Sequence, residues 1–267
     1  MAQLGTTNQL PPAWKVVWIT GASTGIGREI ALRLATKGMR VAVSARSADK
    51  LSALAAASPN ITAYPLDVVD LAASRATADR ISLELGPIDL AILNAGVWLP
   101  MEAKAFDPEL VTRALAVNYT GVTNALGSLI PAMVARKAGH IAIVASVAGY
   151  RGLPVAATYA PTKAALINLA ETLYPELAED NVMVTVINPG FVDTPMTKSN
   201  TFPMPFLIST EAAVDTIIKG LAKGKFEIVF PWRMMLLSKF VRLLPYRVFF
   251  AFVNSLPSED GPANPKA

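Results

Sequence analysis

The segment Thr20-Gly21-Ala22-Ser23-Thr24-Gly25-Ile26-Gly27 constrains the fold more than any other stretch of the chain. It follows a β-branched run, Lys15 to Thr20, and opens a helical pattern that ends near Gly38. Glycines let the backbone turn tightly and approach a ligand closely, and the free N–H groups at a helix start favour negative charge. A strand, a glycine turn and a helix in this order predict a pyrophosphate cradle made by Gly21, Ser23, Thr24, Gly25, Ile26 and Gly27. The spacing departs from G-x-G-x-x-G, and a tight strand-to-helix turn with no ligand would use the same residues.

Further β-branched runs occur at Arg40 to Ala45, Ile61 to Pro65, Ile88 to Asn94, His140 to Ser146, Met183 to Pro189 and Phe226 to Phe230. The stretches between them are long enough for crossover helices. This alternation predicts an α/β fold: a Rossmann-like, doubly wound, parallel seven-stranded sheet with helices on both faces. Apolar residues form 52% of the chain and charged residues 16%, which is sufficient to bury such a sheet on both sides. Leu166, Leu169, Leu173 and Leu177 recur at three- and four-residue spacing, as a helix lying on the sheet requires. The organisation expected is a flexible tail over 1–14, a dinucleotide-binding catalytic domain over 15–230 and an amphipathic C-terminal helical extension over 231–267, frayed from Leu256 onward.

The second strand ends Val43-Ser44-Ala45-Arg46, where a fold of this type that uses NAD places an acid on the ribose hydroxyls. Ala45 supplies no carboxylate, and the Arg46 guanidinium suits a 2′-phosphate. The residue therefore points to NADP(H); a solvated surface Arg is the alternative.

Several ordered motifs join the glycine turn: Asn94-Ala95-Gly96, Tyr159-Ala160-Pro161-Thr162-Lys163, Ser146 thirteen residues before Tyr159, and Pro189-Gly190 followed by Val192 and Thr194. Together they resemble TGxxxGxG, NAG, YxxxK and the PG motif of the short-chain dehydrogenase/reductase family, over about Lys15 to Phe230. The resemblance implies an NADP(H)-dependent oxidoreductase that moves a hydride between nicotinamide and a carbonyl or secondary alcohol, with Asn118, Ser146, Tyr159 and Lys163 as its catalytic residues. It also implies cofactor contacts from the turn residues and Arg46, from Asn94, Ala95 and Gly96, from Tyr159 and Lys163, and from Pro189, Gly190, Val192 and Thr194. Asp67 and Val68 match the neighbourhood that contacts the adenine amino group in the family; Asp67 could equally cap the helix beginning near Asp70.

The chemistry can be followed from the residues themselves. Tyr159 and Lys163, at i and i+4, share one helical face. An ammonium near a phenol of ordinary pKa about 10 favours phenolate and brings the group nearer the range useful in acid–base catalysis. In the reductive direction Tyr159 gives its proton to the substrate oxygen while Ser146 hydrogen-bonds that oxygen as charge develops. By the resemblance, Lys163 also holds the nicotinamide ribose and Asn118 holds water linking Lys163 to solvent. Pro161 is tolerable in a first helical turn, so this helix is expected to start near Thr158.

Substrate contacts are expected from Ser146, Tyr159, Trp98, Phe191 and Met196, with Met101 forming further wall and Phe202, Met204, Pro205 and Phe206 in a loop over the crevice. Their apolar character points to a lipophilic ketone, as in family members resembling keto-sphingoid reductases. After Phe230, two short helices broken at Pro245 interleave bulky apolar residues with Arg and Lys. This composition suits a lid, a subunit contact or a peripheral membrane contact through 231–253.

The remaining features mostly exclude. The absence of cysteine, with His140 as the single histidine, leaves no disulfide, no thiolate and no expected metal site. A net charge of +4 without a clustered basic face argues against nucleic acid. No signal sequence or run of about 20 apolar residues is present, which suits a cytoplasmic placement, with the membrane surface as the second; the family resemblance implies a homo-oligomer. His140, just before an apolar strand, reads as a surface turn residue. An NADP(H)-binding sensor or a membrane-associated interaction protein with little turnover is the competing class.

Overall fold

Val16, Val17, Trp18 and Ile19 are all buried, because alternate side chains of this strand enter cores on opposite faces of one sheet. In the computed structural model, which describes residues 14–200 and 202–255, the strands are β1 (Val16–Thr20), β2 (Arg40–Ser44), β3 (Ile61–Ala63), β4 (Leu90–Leu93), β5 (Gly139–Val144), β6 (Val182–Pro189) and β7 (Glu227–Phe230). The helices are α1 (Gly25–Thr36), α2 (Ala48–Ala55), α3 (Leu71–Glu84), α4 (Pro108–Leu115), α5 (Gly121–Ala135), α6 (Ala160–Ala178), α7 (Thr210–Ala222), α8 (Trp232–Leu243) and α9 (Tyr246–Asn254).

Every strand pairing is parallel, in the order β3-β2-β1-β4-β5-β6-β7. Val16 and Trp18 join Leu126 of α5 and Leu166 of α6 on one face. Val17 and Ile19 join Ile30 of α1 and Val214 of α7 on the other. The Trp18 indole donates to Ser44 Oγ at 3.0 Å, so the large buried ring leaves no unsatisfied donor. Because the strand order reverses between β1 and β4, a crevice opens beyond their carboxyl ends.

The seven strands and their direction match the sequence expectation, and the ends differ by at most two residues. β3 stops at Ala63, yet Tyr64 N and Leu66 N still donate to Val43 O and Ala45 O, so the chain stays extended past the regular ladder. α6 begins at Ala160 rather than Thr158, with Pro161 in its first turn.

Two expectations are corrected. His140 is no surface turn residue: it is fully buried in β5, paired with Leu90 of β4 and Met183 of β6. Its Nε2 lies 2.8 Å from Thr185 Oγ1, and that hydroxyl donates to Lys225 O at 2.7 Å. The imidazole must therefore donate through Nε2–H, and burial lowers its pKa to about 4. Trp14, assigned to the tail, is buried with its ring 5.7 Å from that of His140; the rest of the tail, and the residues from Leu256, lie outside the described residues.

α8 and α9 are separate helices broken at Leu244–Pro245, as the composition predicts. Arg151 fixes the break: its guanidinium donates to Leu244 O at 2.8 Å and lies between the rings of Tyr246 and Phe249 at 4.7 and 4.6 Å. Among the described residues no helix is long and apolar enough to cross a membrane.

Candidate active site

A cleft of about 440 Å³ opens at the carboxyl ends of β1, β2, β4, β5 and β6. Gly21, Ser23, Thr24, Gly25 and Ile26 form its floor. Gly21 has φ +65°, and a Cβ there would stand 2.7 Å from Ala95 Cα, so only glycine permits this close crossing of the two loops. Gly27 lies beneath the floor, where a Cβ would meet Asn94 Nδ2 at 2.7 Å. That amide donates to Thr20 O and Gly21 O, both at 3.1 Å, and staples the end of β4 to the turn.

The start of α1 carries no side-chain cap and no acid in its first turn. Its orphan N–H donors and positive dipole end are thus available at the cleft floor, and they fit a dinucleotide pyrophosphate. At one end of the cleft, Arg46, Ser47 and Lys50 stand beside Ala45, with no carboxylate at the strand end. Leu66, Asp67 and Val68 form a neighbouring wall. Helix α3 is capped by Asp70, whose Oδ1 accepts from Ala73 N at 2.9 Å, so the capping role considered for Asp67 belongs to Asp70.

At the other end, α6 brings Tyr159 and Lys163 to the cleft, with Ser146 just past β5 and Pro189-Gly190 at the end of β6. Lys163 is 3% exposed. Its Nζ donates to Val144 O at 2.8 Å and lies 5.4 Å from the Tyr159 ring centroid. Burial lowers the Lys163 ammonium to about 8. Burial also pushes the Tyr159 phenol up to about 12, opposed by its hydrogen bond with Ser146. Removal from water thus penalises phenolate more than the hydrogen bond with Ser146 favours it. Ser146 Oγ accepts from Ala148 N at 3.1 Å and donates to Pro189 O at 3.3 Å, tying the ends of β5 and β6.

Asn118 sits in a one-turn π-helix, Ala116–Thr120, between α4 and α5. It is fully buried; its amide donates to Val97 O and Thr162 Oγ1, and its Oδ1 accepts from Val97 N at 2.7 Å. The Cβ position missing at Gly96 lies 3.3 Å from Asn118 Oδ1 and 3.6 Å from Lys163 Nζ. Glycine thus leaves space between these two polar atoms.

Residues 15–203 match the family model for short chain dehydrogenase. The chain belongs to the short-chain dehydrogenase family. An uncharacterized oxidoreductase of Myxococcus xanthus is 38% identical over 249 residues, which cover 91% of this chain and 98% of that relative. A 3-dehydrosphinganine reductase of Arabidopsis thaliana is 33% identical over 247 residues, covering 86% of this chain and 73% of that protein. A solved short chain dehydrogenase from Burkholderia cenocepacia, in complex with NADP, shares 26% identity at a TM-score of 0.79, with 90% of this chain and 97% of that chain covered. The protein is therefore an oxidoreductase of a family that uses nicotinamide cofactors.

In this short-chain dehydrogenase the expected substrate residues fall into two groups. Met196 joins Val192 and Thr194 on the cleft wall. Trp98 and Phe191 do not line the cleft; they belong to an aromatic cluster beside it. Trp98 stands edge-on to Tyr159 at 5.2 Å, and Phe202 approaches Trp98 at 6.4 Å and Phe191 at 6.0 Å. Met101 is not free wall: it is buried, and its backbone N donates to Val155 O at 3.0 Å. Lys50 and Ser47 are cleft residues that no motif marks; Ser47 precedes α2 and Lys50 stands in its first turn.

Proposed function

We propose that the protein moves a hydride between NADP(H) and the carbonyl of a lipophilic ketone or the corresponding secondary alcohol. The observation that carries this reading is the convergence of Tyr159, Ser146 and Lys163 at one end of the cleft, beside the Trp98 and Phe202 rings. When bound, the nicotinamide supplies or accepts the hydride.

A phenol held near 12 keeps its proton at neutral pH, the form needed to donate to a ketone oxygen as that oxygen becomes basic. Ser146 turns its hydroxyl from Pro189 O toward the same oxygen. Lys163, protonated below about 8, stabilises the phenolate left behind, and its remaining N–H donors are available to the ribose. The space over Gly96 allows water to connect Asn118 Oδ1 with Lys163, so the proton can be replaced from solvent. In this reading residues 15–230 form the catalytic domain and α8–α9 pack on it.

Arg46 and Lys50 favour a 2′-phosphate, and the NADP complex of the Burkholderia relative supports that choice. The aromatic cluster supports a lipophilic substrate, as does the 3-dehydrosphinganine reductase among the relatives. The test is NADPH oxidation over ketones graded by chain length. Catalytic efficiency should rise with chain length and favour NADPH over NADH; a preference for NADH or for short polar ketones would overturn the cofactor or substrate assignment respectively.

A further inference from the structure

Helix α8 has two unlike faces. Met234 and Val241 are buried against the body, whereas Trp232, Leu236, Phe240 and Leu243 are 63, 55, 63 and 82% exposed. Positions i, i+4, i+8 and i+11 fall on one helical stripe, opposite the buried pair. The helix is not free to turn this stripe inward. Lys239 Nζ is 2.6 Å from Glu227 Oε2, and the end of α8 is held by Arg151 through Leu244 O.

From Trp232 to Ser255 the chain carries Arg233, Lys239, Arg242 and Arg247 and no acidic residue. Lys239 is paired with Glu227 and the Arg242 guanidinium lies 5.8 Å from the Tyr150 ring, while Arg233, Arg242 and Arg247 are exposed and none has an acidic residue on α8 or α9 to meet. A second copy placed on this face would bring like charges together, whereas an anionic lipid surface meets both the stripe and the cations.

The same helix adjoins the substrate side. The Arg233 guanidinium lies 5.4 Å from the Trp232 ring and 5.9 Å from the Phe206 ring. Phe206 and Leu207 are exposed, and the neighbouring Phe202 packs on Trp98, which packs on Tyr159. The loop that carries Phe202 and Phe206 thus touches α8 through Arg233 at one point and the Trp98–Tyr159 pair at another.

We propose that α8 lies on an anionic phospholipid bilayer and that a bilayer-dissolved ketone reaches Tyr159 past Phe206 and Phe202. The second half rests on the activity proposed above; the first does not. The test compares the full chain with a Leu236→Ser/Phe240→Ser/Leu243→Ser variant in co-sedimentation with phosphatidylcholine vesicles with and without phosphatidylglycerol. Reduction of a long-chain ketone carried in the vesicles and of a short water-soluble ketone is measured in parallel.

The wild-type chain should bind the anionic vesicles roughly tenfold or more tightly than the neutral ones, and the variant should lose that binding. The variant should keep its turnover of soluble ketone while its reduction of vesicle-borne ketone falls by about tenfold or more. Arg247→Gln, which leaves the stripe intact, should weaken vesicle binding roughly fivefold. Indifference of the wild type to anionic lipid would overturn the proposal, as would a stripe variant that merely turns a dimer into a monomer with vesicle binding unchanged. A wild-type chain that binds anionic vesicles but turns over no ketone would remove the activity reading and leave the bilayer contact standing.

Discussion

Helices α6 and α8 are both amphipathic, both lie near the cleft, and they use their apolar residues in opposite ways. On α6, Leu166 and Leu177 are buried in the core and Lys163 is buried nearer the start of the helix. On α8, Trp232, Leu236, Phe240 and Leu243 face outward. In α6 the sheet dictates which face is inside, so the position of a functional group follows from its place along the helix. In α8 only Met234 and Val241 answer to the core, and the composition of the remaining face is free to serve something outside the molecule.

The difference can be broken most sharply by truncation inside each helix. Leu166→Ala on α6 should lower unfolding stability by about 2–5 kcal/mol, measured by urea denaturation, because it opens a cavity in a fully packed layer. Acid provides a second probe of the interior. His140 is held at about 4 against an ordinary 6.5, so the unfolded chain takes up the proton first. Its contribution is whole above pH 6.5 and is lost as the pH falls toward 4, a window worth about 3 kcal/mol. His140→Gln should therefore lose less stability than wild type between those pH values.

Smaller effects sharpen the contrast between cleft and extension. Arg46→Ser should reduce catalytic efficiency with NADPH by roughly ten- to a hundredfold and leave that with NADH nearly unchanged, since one charge-assisted contact to phosphate is removed. A similar loss with both cofactors would show that Arg46 does not read the 2′-phosphate. On α8, Phe240→Ser should alter unfolding stability by no more than about 0.5 kcal/mol, as expected for an exposed side chain. A loss comparable to that of Leu166→Ala would mean that the outward stripe is part of the fold's own core.

Much of this molecule could be read from spacing because its strands are buried on both faces and its site residues follow strand ends. Arg46, Asn94, Ser146 and Pro189-Gly190 stand at or just beyond the carboxyl ends of β2, β4, β5 and β6, and Tyr159 and Lys163 are one turn apart on α6. What spacing could not supply was partnership over long distances. His140 reads as a turn residue until Thr185, forty-five positions away, is seen to take its Nε2–H. Asp67 reads in the sequence as a cap of the helix beginning near Asp70, and only the bond from Ala73 N shows that Asp70 itself is the cap. Adjacency of Tyr159 to Lys163 is visible in a helical pattern, whereas the extent of desolvation at the phenol is not.

The central claim is that Tyr159 donates the proton, and its most direct test is Tyr159→Phe assayed by single-turnover NADPH oxidation with a ketone found active in the chain-length series. The rate should fall by about 10²- to 10⁴-fold, with NADPH affinity and thermal stability close to wild type. A variant that folds, binds NADPH and reduces the ketone at a near-normal rate would contradict it.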